Sequence, residues 1–219
     1  MNIGETVFYV LEIIGVFAFA LSGAITAIKR NLDVFGVIVL GITTAMGGGM
    51  IRDILIGKFP PSMFYSIEYV MISAVTALFV FILAYILKSK FELNIRKINF
   101  VNNIFDAIGL GVFSILGVSI AISSGNEENA LLCIFLGTMT GVGGGVLRDV
   151  MSRSVPLIFT KHIYALASIL GCVTYYFSLR FGLKNLFAIA ISMLVTFVLR
   201  MLATAFKWSL PKVKLVEDD

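Results

Sequence analysis

The sequence predicts an all-α polytopic membrane protein of seven transmembrane helices, arranged as two inverted three-helix repeats plus a seventh helix. Three observations predict it. The 219 residues are 59% apolar and only 14% charged, with a mean hydropathy of +1.00, more apolar surface than a soluble domain of this length can bury. Seven apolar runs are long enough to cross a bilayer. One pattern occurs twice, as Gly47-Gly48-Gly49-Met50-Ile51-Arg52-Asp53 and as Gly143-Gly144-Gly145-Val146-Leu147-Arg148-Asp149.

The runs cover residues 7–28, 34–57, 67–87, 101–122, 130–152, 163–179 and 185–206. Residues before the first run include Glu5 and no basic side chain, so that run reads as a retained helix and not a secretory leader. The connections at 29–33, 58–66, 88–100 and 123–129 are too short for a soluble domain, which puts the function within the membrane. Only the tail, 207–219, leaves the bilayer for any length. One set of helix ends holds Lys29, Arg30, Lys88, Lys90, Arg96, Lys97, Arg153, Lys161, Lys207, Lys212 and Lys214. The other holds Lys58, Arg180 and Lys184 with Glu127 and Glu128. The positive-inside rule puts the first set in the cytoplasm, so the N-terminus lies outside the inner membrane and the C-terminus inside. The net charge of +4 is then headgroup anchoring and not a nucleic-acid surface.

The repeat follows from spacing. At an offset of about 95 residues, Glu12 and Gly15 match Asp106 and Gly109, and Gly23 matches Gly117. Gly41 and Thr44 match Gly137 and Thr140, the glycine motifs align, and Pro61, Phe64 and Tyr69 match Pro156, Phe159 and Tyr164. Each unit holds three helices, and an odd number makes the second unit enter from the opposite side. The units are 1–92 and the inverted 93–182, with the seventh helix and cytoplasmic tail at 183–219.

Glycine weakens a helix, so each triplet marks either a break or a very close backbone contact. Breaks are expected in the second and fifth helices. Gly47 lies about 20 Å along its helix at 1.5 Å per residue, which places both triplets near the midplane. Unpaired carbonyls there would meet a partly dehydrated cation, giving transient K⁺ or Na⁺ contacts near Gly48 and Gly144. Thr43, Thr44, Thr138 and Thr140 precede the triplets, with Ser22 and Ser114 on neighbouring helices. Their hydroxyls would either line the ion pathway or bond back to their own helices.

Matched depth groups the intramembrane charges into two buried clusters, Glu12 with Arg52 and Asp53, and Asp106 with Arg148 and Asp149. Two acids to one base leave a negative surplus that favours cations; alternatively the pairs only lock helices together. Enzymatic readings find no support. Cys133 and Cys172 lie in apolar runs and read as buried hydrophobes. His162 is the only histidine and reads as an interfacial anchor beside Lys161. No metal-ligand spacing occurs, and neither triplet is followed by the Lys-Ser/Thr of a phosphate loop. No cofactor is expected. Tyr65, Tyr69, Tyr164, Tyr175, Tyr176 and Trp208 suit headgroup belts.

Seven helices, inverted three-helix units and the doubled Gly-Gly-Gly-x-x-Arg-Asp resemble the prokaryotic branch of the trimeric intracellular cation (TRIC) channels. Bacterial proteins of this kind are also described as carrying "glycine transporter" domains. The resemblance spans residues 7–206. It implies a homotrimer with a pore inside each protomer, conducting chiefly K⁺ and Na⁺. It also implies that the second and fifth helices, kinked at Gly47, Gly48, Gly49, Gly143, Gly144 and Gly145, frame that pore beside Arg52, Asp53, Arg148 and Asp149. The residues alone leave one alternative open, a secondary transporter of glycine or another small amino acid, since transporters also pair inverted repeats with broken helices.

Overall fold

The computed structural model describes residues 3–88, 93–160 and 163–208. The expectations for Lys90, Lys161, His162 and the tail 209–219 lie outside the described residues. Among the described residues, seven helices are long and apolar enough to cross a membrane. They are α1 (Ile3–Lys29), α2 (Val34–Leu55), α3 (Ile67–Ile86), α4 (Ile95–Ala121), α5 (Ala130–Met151), α6 (Ile163–Arg180) and α7 (Asn185–Ala205).

Corresponding helices of the two units begin and end by the same devices. Asp33 accepts a hydrogen bond from the Gly36 N–H at 2.8 Å, and Asn129 accepts one from Leu132 at 3.0 Å. Such caps occupy otherwise orphaned donors and are worth about 1 kcal/mol each. At the far ends, Gly57 (φ 73°) and Arg153 (φ 53°) turn left-handed. There the Lys58 N–H returns to the Asp53 carbonyl and the Ser154 N–H to that of Asp149, both at 2.8 Å.

At the centre of the bundle α2 crosses α5, α1 packs on α2, and α4 packs on α5 and α1. The outer α3 covers α1 and α2, while α6 covers α5 and α7 closes the side against α4 and α6. The seventh helix therefore contacts the second unit. Tyr164, Tyr175 and Tyr176 are buried and so are not headgroup belts as expected. Tyr175 donates to Asn185 and Tyr176 to the Glu127 carbonyl, because a phenol within a helix bundle still needs an acceptor. Tyr65 and Trp208 are exposed.

The expected breaks do not occur. Helix α2 is continuous through Gly47–Gly49, and α5 through Gly143–Gly145. A helical glycine costs about 1 kcal/mol relative to alanine, whereas an unpaired backbone group in lipid costs several. The hydrogen-bond ladder wins, and the glycines serve contact instead.

Candidate functional site

The contact lies where α2 meets α5. A methyl group on Gly48 would collide with the Thr140 carbonyl oxygen, and one on Gly144 with the Thr44 carbonyl oxygen. The two clashes are reciprocal, as a pseudo-two-fold axis between the units demands. Gly47 is filled over by Leu147, and Gly143 faces Ile51 and Gly48. Gly49 and Gly145 each lie next to the arginine of their own motif, Arg52 and Arg148. Beside the crossing, Phe19 and Phe113 bring their rings to 5.2 Å, and both are buried. Close helices and two phenyl rings fill the centre.

Most of the nearby hydroxyls are committed. Thr44 Oγ1 donates to the Leu40 carbonyl and Thr140 Oγ1 to that of Leu136, each at 2.6 Å. Thr138 faces the Cys172 sulfur at 3.8 Å, and Ser114 pairs with Ser168. Thr43 is half-buried. Ser22 accepts from Arg148 Nη1 at 2.7 Å and so joins a charge cluster.

One cluster lies toward the end of the bundle that holds Lys58. Arg52 donates through Nε (2.9 Å) and Nη2 (2.7 Å) to Asp53 Oδ1, while Asp53 Oδ2 accepts the Ser62 N–H at 2.7 Å. Glu12 does not pair with Arg52; it accepts a short hydrogen bond from the Tyr69 hydroxyl. The adjacent aspartate occupies the guanidinium fork, and α3 brings Tyr69 to the carboxylate first. Glu12, Arg52, Asp53, Lys58 and Tyr69 line one cavity of about 270 Å³. At the rim of the same end, Arg180 bonds the exposed Glu128 at 2.6 Å and holds its carboxyl below the usual carboxylate range.

The second cluster lies toward the end that holds Lys29 and Arg30. Arg148 Nη1 donates to Asp106 Oδ1 at 2.6 Å, as the matched depths predict, and Nε donates to Asp149 Oδ1 at 2.9 Å. Asp149 Oδ2 accepts the Leu157 N–H at 2.9 Å, repeating the Asp53–Ser62 contact. The Tyr164 hydroxyl donates to Asp106 Oδ1 at 3.3 Å. Asp106, Arg148 and Asp149 are each at most 5% exposed. A cavity of about 490 Å³ reaches Arg148 and Asp149 from this end.

Known proteins share this fold. A family model described as "Glycine transporter" matches the chain twice, over residues 9–85 and 103–180. The UPF0126 inner membrane protein YadS of Escherichia coli K12 is 34% identical over 213 residues, covering 96% of this chain and 98% of YadS. A solved structure described in work on conductance through TRIC cation channels superposes with a TM-score of 0.83 at 38% identity, covering 97% of this chain and all of that one (100%). The TRIC orthologue from Rhodobacter sphaeroides gives a TM-score of 0.82 at 28% identity, covering 93% and 100%. This chain belongs to the TRIC family.

Each matched segment of this TRIC-family chain holds one glycine triplet and one Arg-Asp pair, and α7 lies outside both. That unmatched helix supplies the functional-site residue that sequence reasoning missed. Arg200, 1% exposed, stacks its guanidinium 4.7 Å above the Tyr164 ring and brings Nη2 to 3.8 Å from Asp106 Oδ2. Its Nε and Nη2, like Asp106 Oδ2, have no hydrogen-bond partner among the described residues. A lone arginine in the apolar run before Met201 was the available signal, since intramembrane charge marks function or pairing by default.

Proposed function

We propose that the protein is a cation channel that passes monovalent cations, chiefly K⁺ and Na⁺, through a path inside each protomer of a homotrimer. It would sit in the inner membrane with its N-terminus outside and its C-terminus in the cytoplasm. The units 1–92 and 93–182 would form the conduit, with 183–219 flanking it. One observation carries this reading: two cavities at opposite ends of the bundle each reach one of the two Arg-Asp pairs, which lie on the crossing helices α2 and α5. The relatives whose structures are solved are named as cation channels, which supports the same conclusion. Conduction along this path would require α2 and α5 to part at Gly48 and Gly144. A cation would then meet the carbonyls of Thr44 and Thr140, which the partner glycines now cover, flanked by Glu12 and Asp53 on one side and Asp149 on the other. Thr43, Thr138 and Ser22 would border that path.

The family's glycine-transporter label and the inverted repeat favour one rival, a glycine transporter that alternates access between the two cavities. Purified protein in planar bilayers and in liposomes separates them. Discrete single-channel currents in KCl are the expected result. Saturable glycine counterflow without such currents would reverse the assignment.

A further inference from the structure

The two mouths of the proposed path differ in charge more than their repeat relationship requires. At an offset of about 94 residues, Lys29 and Arg30 at the end of α1 correspond to Ser123 and Ser124 just past α4. Those serines turn back on their own helix, donating to the carbonyls of Ser119 and Ile120 at 2.8 Å each. Lys29 and Arg30 instead reach across an opening. Lys29 Nζ donates to Asn99 Oδ1 on α4 at 2.6 Å, and Arg30 Nη2 donates to Ser154 Oγ, just past α5, at 2.5 Å. Basic residues at cytoplasmic helix ends ordinarily anchor to lipid headgroups. These two line the 490 Å³ cavity that leads to Arg148 and Asp149.

Charge sums sharpen the contrast. The cavity at this mouth carries Lys29, Arg30 and Arg148 against Asp149 alone, whereas the cavity at the other mouth balances Arg52 and Lys58 against Glu12 and Asp53. We propose that Lys29 and Arg30 form a cationic collar that slows cation entry at this mouth and makes conduction through the path asymmetric. The proposal rests on the cation-channel reading. A collar of fixed charge lowers the local cation concentration without touching the ion, and salt screens it away. The steps deeper in the path are left to the groups already described.

The test is the single-channel current–voltage curve of the full-length protein in symmetric KCl. Wild type should rectify at about 0.1 M, where the Debye length is about 10 Å, and lose that rectification near 1 M, where it is about 3 Å. Lys29→Gln combined with Arg30→Gln should raise the smaller-direction current about two- to fivefold at low salt and bring the rectification ratio toward one. Lys29→Arg combined with Arg30→Lys keeps both charges and should keep the salt-sensitive rectification. If the double glutamine variant does not assemble, Lys29→Cys treated with a cationic or an anionic thiosulfonate gives the same readout, with the cationic adduct restoring rectification. A folded double glutamine variant with the wild-type curve at 0.1 M overturns the collar, as does a change that persists undiminished at 1 M. Wild-type protein that passes no current at all defeats the channel reading and the collar with it. A conducting wild type with an unaltered variant defeats only the collar.

Discussion

The two charge clusters are built on one plan and finished differently. In both, an arginine donates to the aspartate that follows it, and that aspartate's second oxygen accepts a backbone N–H from the loop beyond, of Ser62 or Leu157. In both, a tyrosine of the unit's third helix reaches the acid of its first. The additions separate them. Arg148 also holds Asp106 and Ser22 and has Arg200 behind it, whereas Arg52 holds Asp53 alone and shares an open cavity with Glu12. The duplicated motif thus supplies a scaffold, and residues outside it decide whether the acid of the unit's first helix is locked in, as Asp106 is, or left facing a cavity, as Glu12 is. The locked cluster balances two carboxylates with two guanidinium groups. The open one sets Glu12 and Asp53 against Arg52 and Lys58 around one cavity, so its carboxylates stay within reach of a passing cation.

The largest test of that contrast removes the arginines one at a time. Arg148→Met strands Asp106, 1% exposed and lining neither cavity, and should cost about 3–5 kcal/mol of stability, the usual penalty for uncompensated buried charge. Arg52→Met leaves its carboxylates beside a cavity that admits water and should cost less than about half as much. Thermal melts of the detergent-solubilised protein measure both, and equal losses would erase the distinction between locked and open. Adding Asp106→Leu to Arg148→Met should recover part of the loss, since removing both members of a buried pair costs less than removing one. A double variant as damaged as the sum of its singles would show that the two do not act as a pair.

The glycine crossing should respond in the opposite way, with symmetry. Gly48→Ala and Gly144→Ala each push a methyl group against a backbone carbonyl of the facing helix, and a backbone cannot swing aside as a side chain can. Each should cost about 1–3 kcal/mol, the ordinary price of overpacking, and the two costs should agree closely. Recovery of folded protein on size-exclusion chromatography, with the melting temperature, reports this. An alanine tolerated at one position and not at the other would break the pseudo-two-fold relation at its centre.

Much of this architecture was legible in the sequence because the bilayer writes directly into hydropathy. The run at 34–57 became Val34–Leu55, and that at 185–206 became Asn185–Ala205. Helix α4 begins at Ile95, earlier than its apolar run, because hydropathy marks the lipid boundary and the helix continues past it through Arg96 and Lys97. Matched depth found Asp106 with Arg148 but mispaired Glu12, since depth along a helix says nothing of which face a side chain occupies. Tyr69, read as a headgroup residue, is what fills that face. The triplets were read as breaks because helix propensity is a property of one segment, while the carbonyl that each glycine receives belongs to another. Arg200 was passed over because the seventh run was read for its length.

The smallest effect concerns that same residue, and it separates two arginines that approach one carboxylate. Arg148 bonds Asp106 at 2.6 Å, while Arg200 stops at 3.8 Å and has two nitrogens without a hydrogen-bond partner among the described residues. Burying unpaired donors costs about 1–3 kcal/mol. Stacking on Tyr164 returns about 0.5–2 kcal/mol as a cation–π contact, and the bond from Nη1 to Thr204 at 3.1 Å returns about 1 kcal/mol more. These terms nearly cancel. Methionine fills similar volume, keeps contact with the ring through its sulfur and brings no donors that need partners. Arg200→Met should therefore leave stability within about 1 kcal/mol of wild type, although it removes a charge from one of the most deeply buried positions in the chain. Asp106 would keep Arg148 and Tyr164, so the locked cluster should hold together with one positive charge fewer. A melting-temperature loss as large as that of Arg148→Met would show that Arg200 closes the remaining gap and pairs fully with Asp106, which would make α7 a structural member of the cluster and not its neighbour.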